Sequence, residues 1–395
     1  MIVGVSALIV YDSGVVAALM RVYGEGYKDF LEAIRRPGSR LYARVNTLLI
    51  SADEIVERLR GRGIEVYRDE RLAEAIYFPI QGPFQVEELD KRIVVDKYAA
   101  ESIYMGANVY APGVISCEGV SKGDEVTVVA EDGTPVANAI AVVDCEDIVV
   151  RGVRRGVAAE TIRSVYRAPK IRELPEYVNG YLYPQSLPAM YVTHVLDPKP
   201  GELVVDACAA PGGKTSHIIE YSGGRSYVIA FDHSKKRLDE MREHLRRLHE
   251  DSLVEIWQAD SRYLHIDFSW LKADKIVVDP PCSSLGVRPK IMDRKSYTDI
   301  ETLSKYQLQF LKSAIKVLKP GGVLVYSTCT VTVEENEEII EKIAEAERCI
   351  DVVEVPCERC SRGVPGFRYS QMFARFHPHI HDTTGYFIAK IVKRC

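Results

Sequence analysis

Two cysteines, Cys282 and Cys329, close apolar runs, KIVVDPPC and GVLVYSTC. A lone thiol in such a place is usually a small buried hydrophobe. Two at the carboxyl ends of strands facing one crevice point instead to nucleophilic chemistry, in which a thiolate attacks electron-poor carbon. Four acids share that edge, because LVVD, SYVIAFD, LVEIWQAD and KIVVD end at Asp206, Asp232, Asp260 and Asp279. A single turn aspartate is commonly a helix cap. Four in register describe a nucleoside site, with Asp232 placed for ribose hydroxyls and Asp260 for an adenine amino group. After the first strand, Asp206-Ala-Cys-Ala-Ala-Pro-Gly-Gly-Lys-Thr215 lets the backbone pass close to a ligand before a helix opens. It is neither a G-x-G-x-x-G turn nor a phosphate-binding P-loop.

Asp-Pro-Pro followed by an aromatic residue would suggest methylation of an amino group, with the aromatic stacked on the base. Here Cys282 takes the aromatic's place. Carbon five of cytosine is too weak a nucleophile to take a methyl group from a sulfonium. A thiolate added to carbon six turns the ring into an enamine and activates it. A second group must then help remove the hydrogen from carbon five so that the thiolate can leave. Two cysteines therefore have a chemical reason to meet.

The elements that position them read as strand–helix alternation from about residue 195, with helices at 213–222, 234–250, 299–318 and 334–347. That pattern predicts a doubly wound α/β sheet with ligands at the strand carboxyl ends. Upstream, residues 14–36 read as a helix, RVNTLLI (44–50) as a strand, ADEIVERLRGRG as a helix and IEVYRD as another strand. Residues 90–167 hold short β-branched runs between turns, as in a small barrel, with a helix around 97–105. Residues 148–172 carry Arg151, Arg154, Arg155, Arg163, Arg167, Lys170 and Arg172 against one acid, Glu160. In a chain of net charge −5, that cluster favours a polyanion contact over a merely solvated face.

DACAAPGGKT, DPPCSSLG and YSTCT, in this order, closely resemble the Sun/Nop family of RNA cytosine-5 methyltransferases. So do QSLPAMYVTHVLDPKPGE (185–202), EENEEII (334–340) and RFHPHIHDTTGYFIAKIVK (375–393). The likeness is continuous over about 170–395, and RVNTLLISADEIVERLRGRGIEV resembles the family's N-terminal RNA-binding platform. The 90–167 segment, with GANVYAPGV and KGDEV, looks like a PUA domain, which points to the branch acting near the end of the tRNA acceptor stem. The resemblance implies an α/β platform (1–88), an inserted PUA β-barrel (89–168) and a Rossmann-like catalytic domain (169–395). It implies S-adenosylmethionine as methyl donor, held by Cys208, Ala209, Ala210, Pro211, Gly212, Gly213, Lys214, Asp232, Arg237, Asp260 and Asp279. Cys329 would attack carbon six, Cys282 would assist product release, Asp279 would bind the cytosine edge, and Lys214 would contact the base or orient the nucleophile. Pro280 stands where many members have Ala, and Ser284 where many have Gly. The target base would have to be extruded to meet a thiol.

Three rivals remain at this stage. A DNA cytosine-5 methyltransferase would attack with Cys282, an amino methyltransferase would want an aromatic there, and an inactive RNA-binding assembly factor would not need the full reactive set. Ribosomal RNA is the alternative substrate. Cys357-Glu-Arg-Cys360 with His377, His379 and His381 has poor zinc spacing, so no metal is expected. The nine irregularly spaced cysteines suggest no disulfide framework, and Cys117, Cys145, Cys349 and Cys395 read as plain thiols in a reducing cytoplasm. Cys357 and Cys360 read the same way, with a disulfide between them left open. Tyr166, Tyr181 and Tyr183 flank the basic stretch and read as packing rather than base-stacking rings. With no long apolar run and no basic leader, the chain reads as cytoplasmic, without a membrane span or signal peptide. The resemblance implies tRNA as its partner, and a monomer is expected.

Overall fold

The computed structural model describes residues 9–149, 151–152 and 155–395; Arg154 of the basic cluster lies outside the described residues. Five strands, Leu203–Asp206, Tyr227–Asp232, Val254–Gln258, Ala273–Val278 and Leu318–Thr328, run parallel in the spatial order third, second, first, fourth, fifth. Tyr386–Lys393 adds antiparallel beyond them and pairs with Ile350–Val353 and Ala374–Phe376. Side chains alternate between faces. Val205, Phe231, Ile276 and Leu324 meet the helices Tyr297–Val317 and Glu337–Ala346. Val204, Ala230, Val277 and Val325 meet Gly213–Tyr221 and Lys235–Arg247. Burial of both faces is what a parallel sheet requires. The first strand has the second on one side and the fourth on the other, so the crevice where chain direction across the sheet reverses opens beside Asp206 and Asp279.

The N-terminal region departs from the sequence reading in detail. The expected helix over 14–36 is two, Ser13–Tyr23 and Tyr27–Ile34, broken at Gly24, whose φ is +56°. The strand expected over 44–50 is Arg40–Val45; it stops because Asn46 turns the chain, its Oδ1 accepting from Leu48 N at 3.1 Å and its carbonyl from Leu49 N. IEVYRD keeps only Tyr67–Arg68 as strand. The platform sheet runs Leu182–Pro184, Arg40–Val45, Ala75–Pro79, Tyr67–Arg68, so its edge strand arrives only after the β-rich segment. Helix Ala52–Gly61, capped by Ser51 Oγ accepting from Glu54 N, buries Ile55, Val56 and Leu59 against it.

Between these parts, six strands within Arg92–Ser164 form one mixed sheet. Its edge strands, Val109–Tyr110 and Val114–Ser116, are consecutive in the chain and joined through Ala111–Gly113, so the sheet curls towards closure. Helix Lys97–Tyr104 plugs its core with Ala100 and Ile103. No helix among the described residues is long and apolar enough to cross a membrane.

The reading of Cys117, Cys145, Cys349 and Cys395 as plain thiols is overturned, because Cys117 bonds Cys145 and Cys349 bonds Cys395; of the two alternatives open for Cys357 and Cys360, the structure has the disulfide. The second pair follows from strand register. Ile350 lies opposite Lys393 in an antiparallel pair, which sets Cys349 beside the chain's last residues. Spacing in the sequence carries no trace of that pairing.

Candidate active site

Cys282 and Cys329 meet, with their Sγ atoms 3.4 Å apart. Val278 and Tyr326 are partners on neighbouring parallel strands, so the segments that follow them leave the sheet side by side. The loop after Cys282 is fixed from beneath by Glu335. Its carboxylate accepts from Ser283 N (2.9 Å), Ser283 Oγ (2.5 Å), Gln307 Nε2 (2.9 Å) and Thr332 Oγ1 (3.1 Å), and Gln307 Nε2 also donates to the Pro281 carbonyl. Ser284 then adopts φ +55°, a conformation that favours glycine, and its Oγ lies 3.5 Å from Cys329 Sγ and 3.8 Å from Cys282 Sγ. The shared hydrogen bond splits the two thiols. It lowers the Cys329 pKa, against burial, and together with burial it raises that of Cys282. Cys329 is thus the better thiolate and Cys282 the better proton holder.

Asp279 stands beside the pair. Its Oδ2 takes Lys214 Nζ at 2.5 Å, and its Oδ1 accepts from Ser327 Oγ (2.8 Å) and Tyr386 OH (3.3 Å). Burial is the largest single influence on Lys214 and pulls its pKa down, but the charge and hydrogen bond of Asp279 together with Tyr386 outweigh it and hold the ammonium charged. Lys214 also sits over the Tyr386 ring, 5.7 Å from its centroid. Ser284, Ser327, Glu335 and Tyr386 were given no role from the sequence; all four lie inside the quoted motifs, which was the available signal.

The remaining predicted residues line the neighbouring loop. Gly212 has φ +101°, and a Cβ there would come within 3.0 Å of Met241 Cγ, so only glycine carries the turn. Arg237 ties the loop down by donating to the Ala210 carbonyl while pairing with Asp232 Oδ2 at 3.2 Å. Asp260 holds Arg262 through both carboxylate oxygens, and the guanidinium lies 4.5 Å from the Tyr306 ring centroid. Asp206 is different: buried, it accepts from Thr215 Oγ1 at 2.7 Å and is pushed up to about 6 by burial, so it shapes the loop from behind rather than facing a ligand. Cys208 is likewise pushed up by burial and inert. A tight glycine turn after the first strand, a paired acid after the second and another after the third fit a sulfonium nucleoside.

His377 and His379 gather around Tyr23, whose OH lies 2.9 Å from His377 Nδ1, and His381 stacks on His377, while Cys357 and Cys360 pack in the sheet's other core. Among the described residues these two sets do not form a metal-ligand group. Glu74, His194 and His217 do converge, the carboxylate reaching one Nε2 at 2.7 Å and the other at 3.0 Å; burial lowers His217 to about 4, so it is neutral. Tyr166 packs edge-on against Tyr104, and Tyr183 lies against Arg44. Of the basic cluster, Arg163, Arg167 and Lys170 line a polar cavity of about 670 Å³ beside Phe84. A larger one of about 900 Å³ opens where the platform, the β-rich segment and the loops 287–289 and 382–384 meet, with Arg40, Tyr98, Lys170, Arg172 and Arg288 on its walls.

A doubly wound sheet, a glycine-turned nucleoside loop and paired thiols at the strand ends define a Rossmann-like methyltransferase that uses S-adenosylmethionine. The family model described as 16S rRNA methyltransferase RsmB/F matches residues 193–392, and a PUA domain model matches 91–165. The chain belongs to this RsmB/F family and carries a PUA domain. It is 38% identical over 373 residues, 93% of each chain, to the tRNA (cytosine(72)-C(5))-methyltransferase of Pyrococcus horikoshii. It is 30% identical to the human tRNA (cytosine(72)-C(5))-methyltransferase NSUN6, over 79% of this chain and 73% of that one. The crystal structure of NSun6 from Pyrococcus horikoshii with SFG superposes with a TM-score of 0.88, at 37% identity, over 97% of this chain and 98% of that one.

Proposed function

We propose that this protein transfers a methyl group from S-adenosylmethionine to carbon five of a cytosine near the acceptor end of tRNA, at the position its full-length relatives number 72. The observation that carries the reading is the 3.4 Å approach of two thiols of unequal acidity beside the Lys214–Asp279 pair. When bound, the donor supplies an electrophilic methyl group; the rest is the work of this chain's residues. The Cys329 thiolate adds to carbon six of the extruded base. Asp279, oriented by Ser327 and Tyr386, accepts from the cytosine edge, and Lys214 offsets the charge that develops on the ring. Carbon five, now enamine-like, takes the methyl group. Cys282 assists loss of the proton from carbon five, and the bond from Cys329 to carbon six breaks. Segments 1–88 and 89–168 would serve as RNA-binding platform and PUA module, and 169–395 as the catalytic domain, except that Leu182–Pro184 completes the platform sheet. Support for tRNA over ribosomal RNA is that the likeness to tRNA-modifying relatives runs through the PUA segment.

The test is methyl transfer from labelled donor to total tRNA and to ribosomal RNA, with wild type, Cys329→Ala and Cys282→Ala. The reading requires labelled tRNA with wild type, none with Cys329→Ala, and a covalent RNA–protein adduct with Cys282→Ala. An active Cys329→Ala with a dead Cys282→Ala would reverse the roles, and label entering only ribosomal RNA would replace the substrate.

A further inference from the structure

We propose that Arg44, on the platform strand Arg40–Val45, is a positioning residue for the donor-binding loop and, through it, for Lys214; this deepens the methyl-transfer reading and rests on it. Arg44 is fully buried, and its guanidinium leaves its own sheet to meet the helix Gly213–Tyr221. Nη1 donates to the Gly213 carbonyl at 2.7 Å and to Gln185 Oε1. Nη2 donates to Ser216 Oγ at 2.6 Å, and Nε and Nη2 fork onto Glu220 at 2.7 and 2.9 Å. All five N–H groups of the guanidinium are therefore used, four of them on that one helix.

Two of those bonds bear on the reaction rather than on cohesion alone. Gly213 stands between Gly212, the turn of the donor loop, and Lys214, whose Nζ reaches Asp279 at 2.5 Å. Its carbonyl takes Arg44 directly, and Ser216 Oγ, itself held by Arg44, lies 3.2 Å from the same oxygen. From the other side the Tyr183 ring closes the space, because a Cβ on Gly213 would come within 3.0 Å of it. The guanidinium carbon lies 5.1 Å from the centroid of that ring. Residue 213 is thus clamped between an aromatic face and a guanidinium, and any slip there moves the donor loop and the lysine together. Behind the clamp, Glu250 is pushed up to about 10 by burial and by the neighbouring Glu220, so it is neutral and Glu220 supplies the counter-charge to Arg44.

A lysine would keep the charge but lose the planar fork. Arg44→Lys and Ser216→Ala are made in the full chain. Donor affinity is read by calorimetry without RNA, kcat and the KM for tRNA by methyl transfer, and stability by guanidinium unfolding. Outer residues that orient a working group typically contribute about 10- to 100-fold. For Arg44→Lys we expect donor Kd raised about tenfold, kcat lowered about tenfold and the KM for tRNA within about twofold of wild type. Ser216→Ala shifts Kd and kcat in the same directions by less, with its unfolding midpoint unchanged. The proposal is overturned if the midpoint of Arg44→Lys falls while Kd and kcat per folded molecule stay within about twofold of wild type, as a purely cohesive buried pair would give. If Arg44→Lys does not fold, Ser216→Ala decides, and wild-type Kd and kcat there also overturn it. A wild type that binds donor yet methylates no RNA would sink the methyl-transfer reading, with the calorimetric comparison still deciding Arg44. A wild type that methylates tRNA alongside variants equal to it would sink the Arg44 proposal alone.

Discussion

Replacing Cys282 by alanine should blunt the nucleophile before any RNA arrives. Cys329 owes its lowered pKa first to the hydrogen bond with Cys282, at 3.4 Å, acting against burial. Hydrogen bonds to a charged group contribute about 1.5–3 kcal/mol, and a thiol is a weak donor, so the low end applies, about 1.5 kcal/mol. One pH unit corresponds to about 1.4 kcal/mol, which moves the Cys329 inflection up by about one unit. At any pH below that inflection the thiolate fraction, and with it the alkylation rate, drops about tenfold. The assay is modification of Cys329 by iodoacetamide from pH 5.5 to 10 without RNA, followed by peptide mass spectrometry. Cys208, half-buried and with its pKa raised, serves as the less reactive internal reference. The wild-type pair titrates jointly, so the comparison is between its lower apparent inflection and the variant's single one. An inflection in Cys282→Ala at or below that of wild type would show that the second thiol does not set the acidity of the first, and would remove the division of roles drawn from it.

Two further outcomes concern the scaffold. His377 is held down to about 2 by burial and by Arg375, so it is neutral in the fold and protonates on unfolding below about pH 6.5. Its contribution is therefore complete above that pH and lost as pH falls, so the advantage of wild type over His377→Gln should shrink by about 1.4 kcal/mol per pH unit from 6 to 4. Glu101, raised to about 7, and Asp206, raised to about 6, tilt stability the other way in both proteins, so the difference between the guanidinium curves is the quantity to read; parallel curves would refute the burial argument. The Cys349–Cys395 bond closes a 46-residue separation, which in the chain-entropy account stabilises by about 4 kcal/mol. Replacing both by serine should lower the guanidinium midpoint accordingly and abolish its dependence on reductant at that pair, whereas an unchanged midpoint would mean the bond constrains nothing in the unfolded chain.

What was legible follows from where information sits along the chain. A parallel sheet brings every strand's carboxyl end to one edge, so Asp279, Cys282 and Cys329 announce a shared site although 47 residues separate the two thiols. Their neighbours in the same motifs, Ser327 and Glu335, were in view but could not be given roles, because a hydroxyl or carboxylate takes its meaning from what it bonds. Ser284 was visible as a departure from the usual glycine, and its positive φ explains why glycine is common there. The disulfides and Arg44 were hidden for a different reason. Cys349 finds Cys395 through strand register, and Arg44 finds Gly213 across 169 residues through the docking of two separate sheets. A reacting atom constrains its own residue type wherever it stands. The group that holds it still is constrained only by the fold around it, and that is why a buried arginine on an auxiliary platform carries no local mark of the loop it clamps.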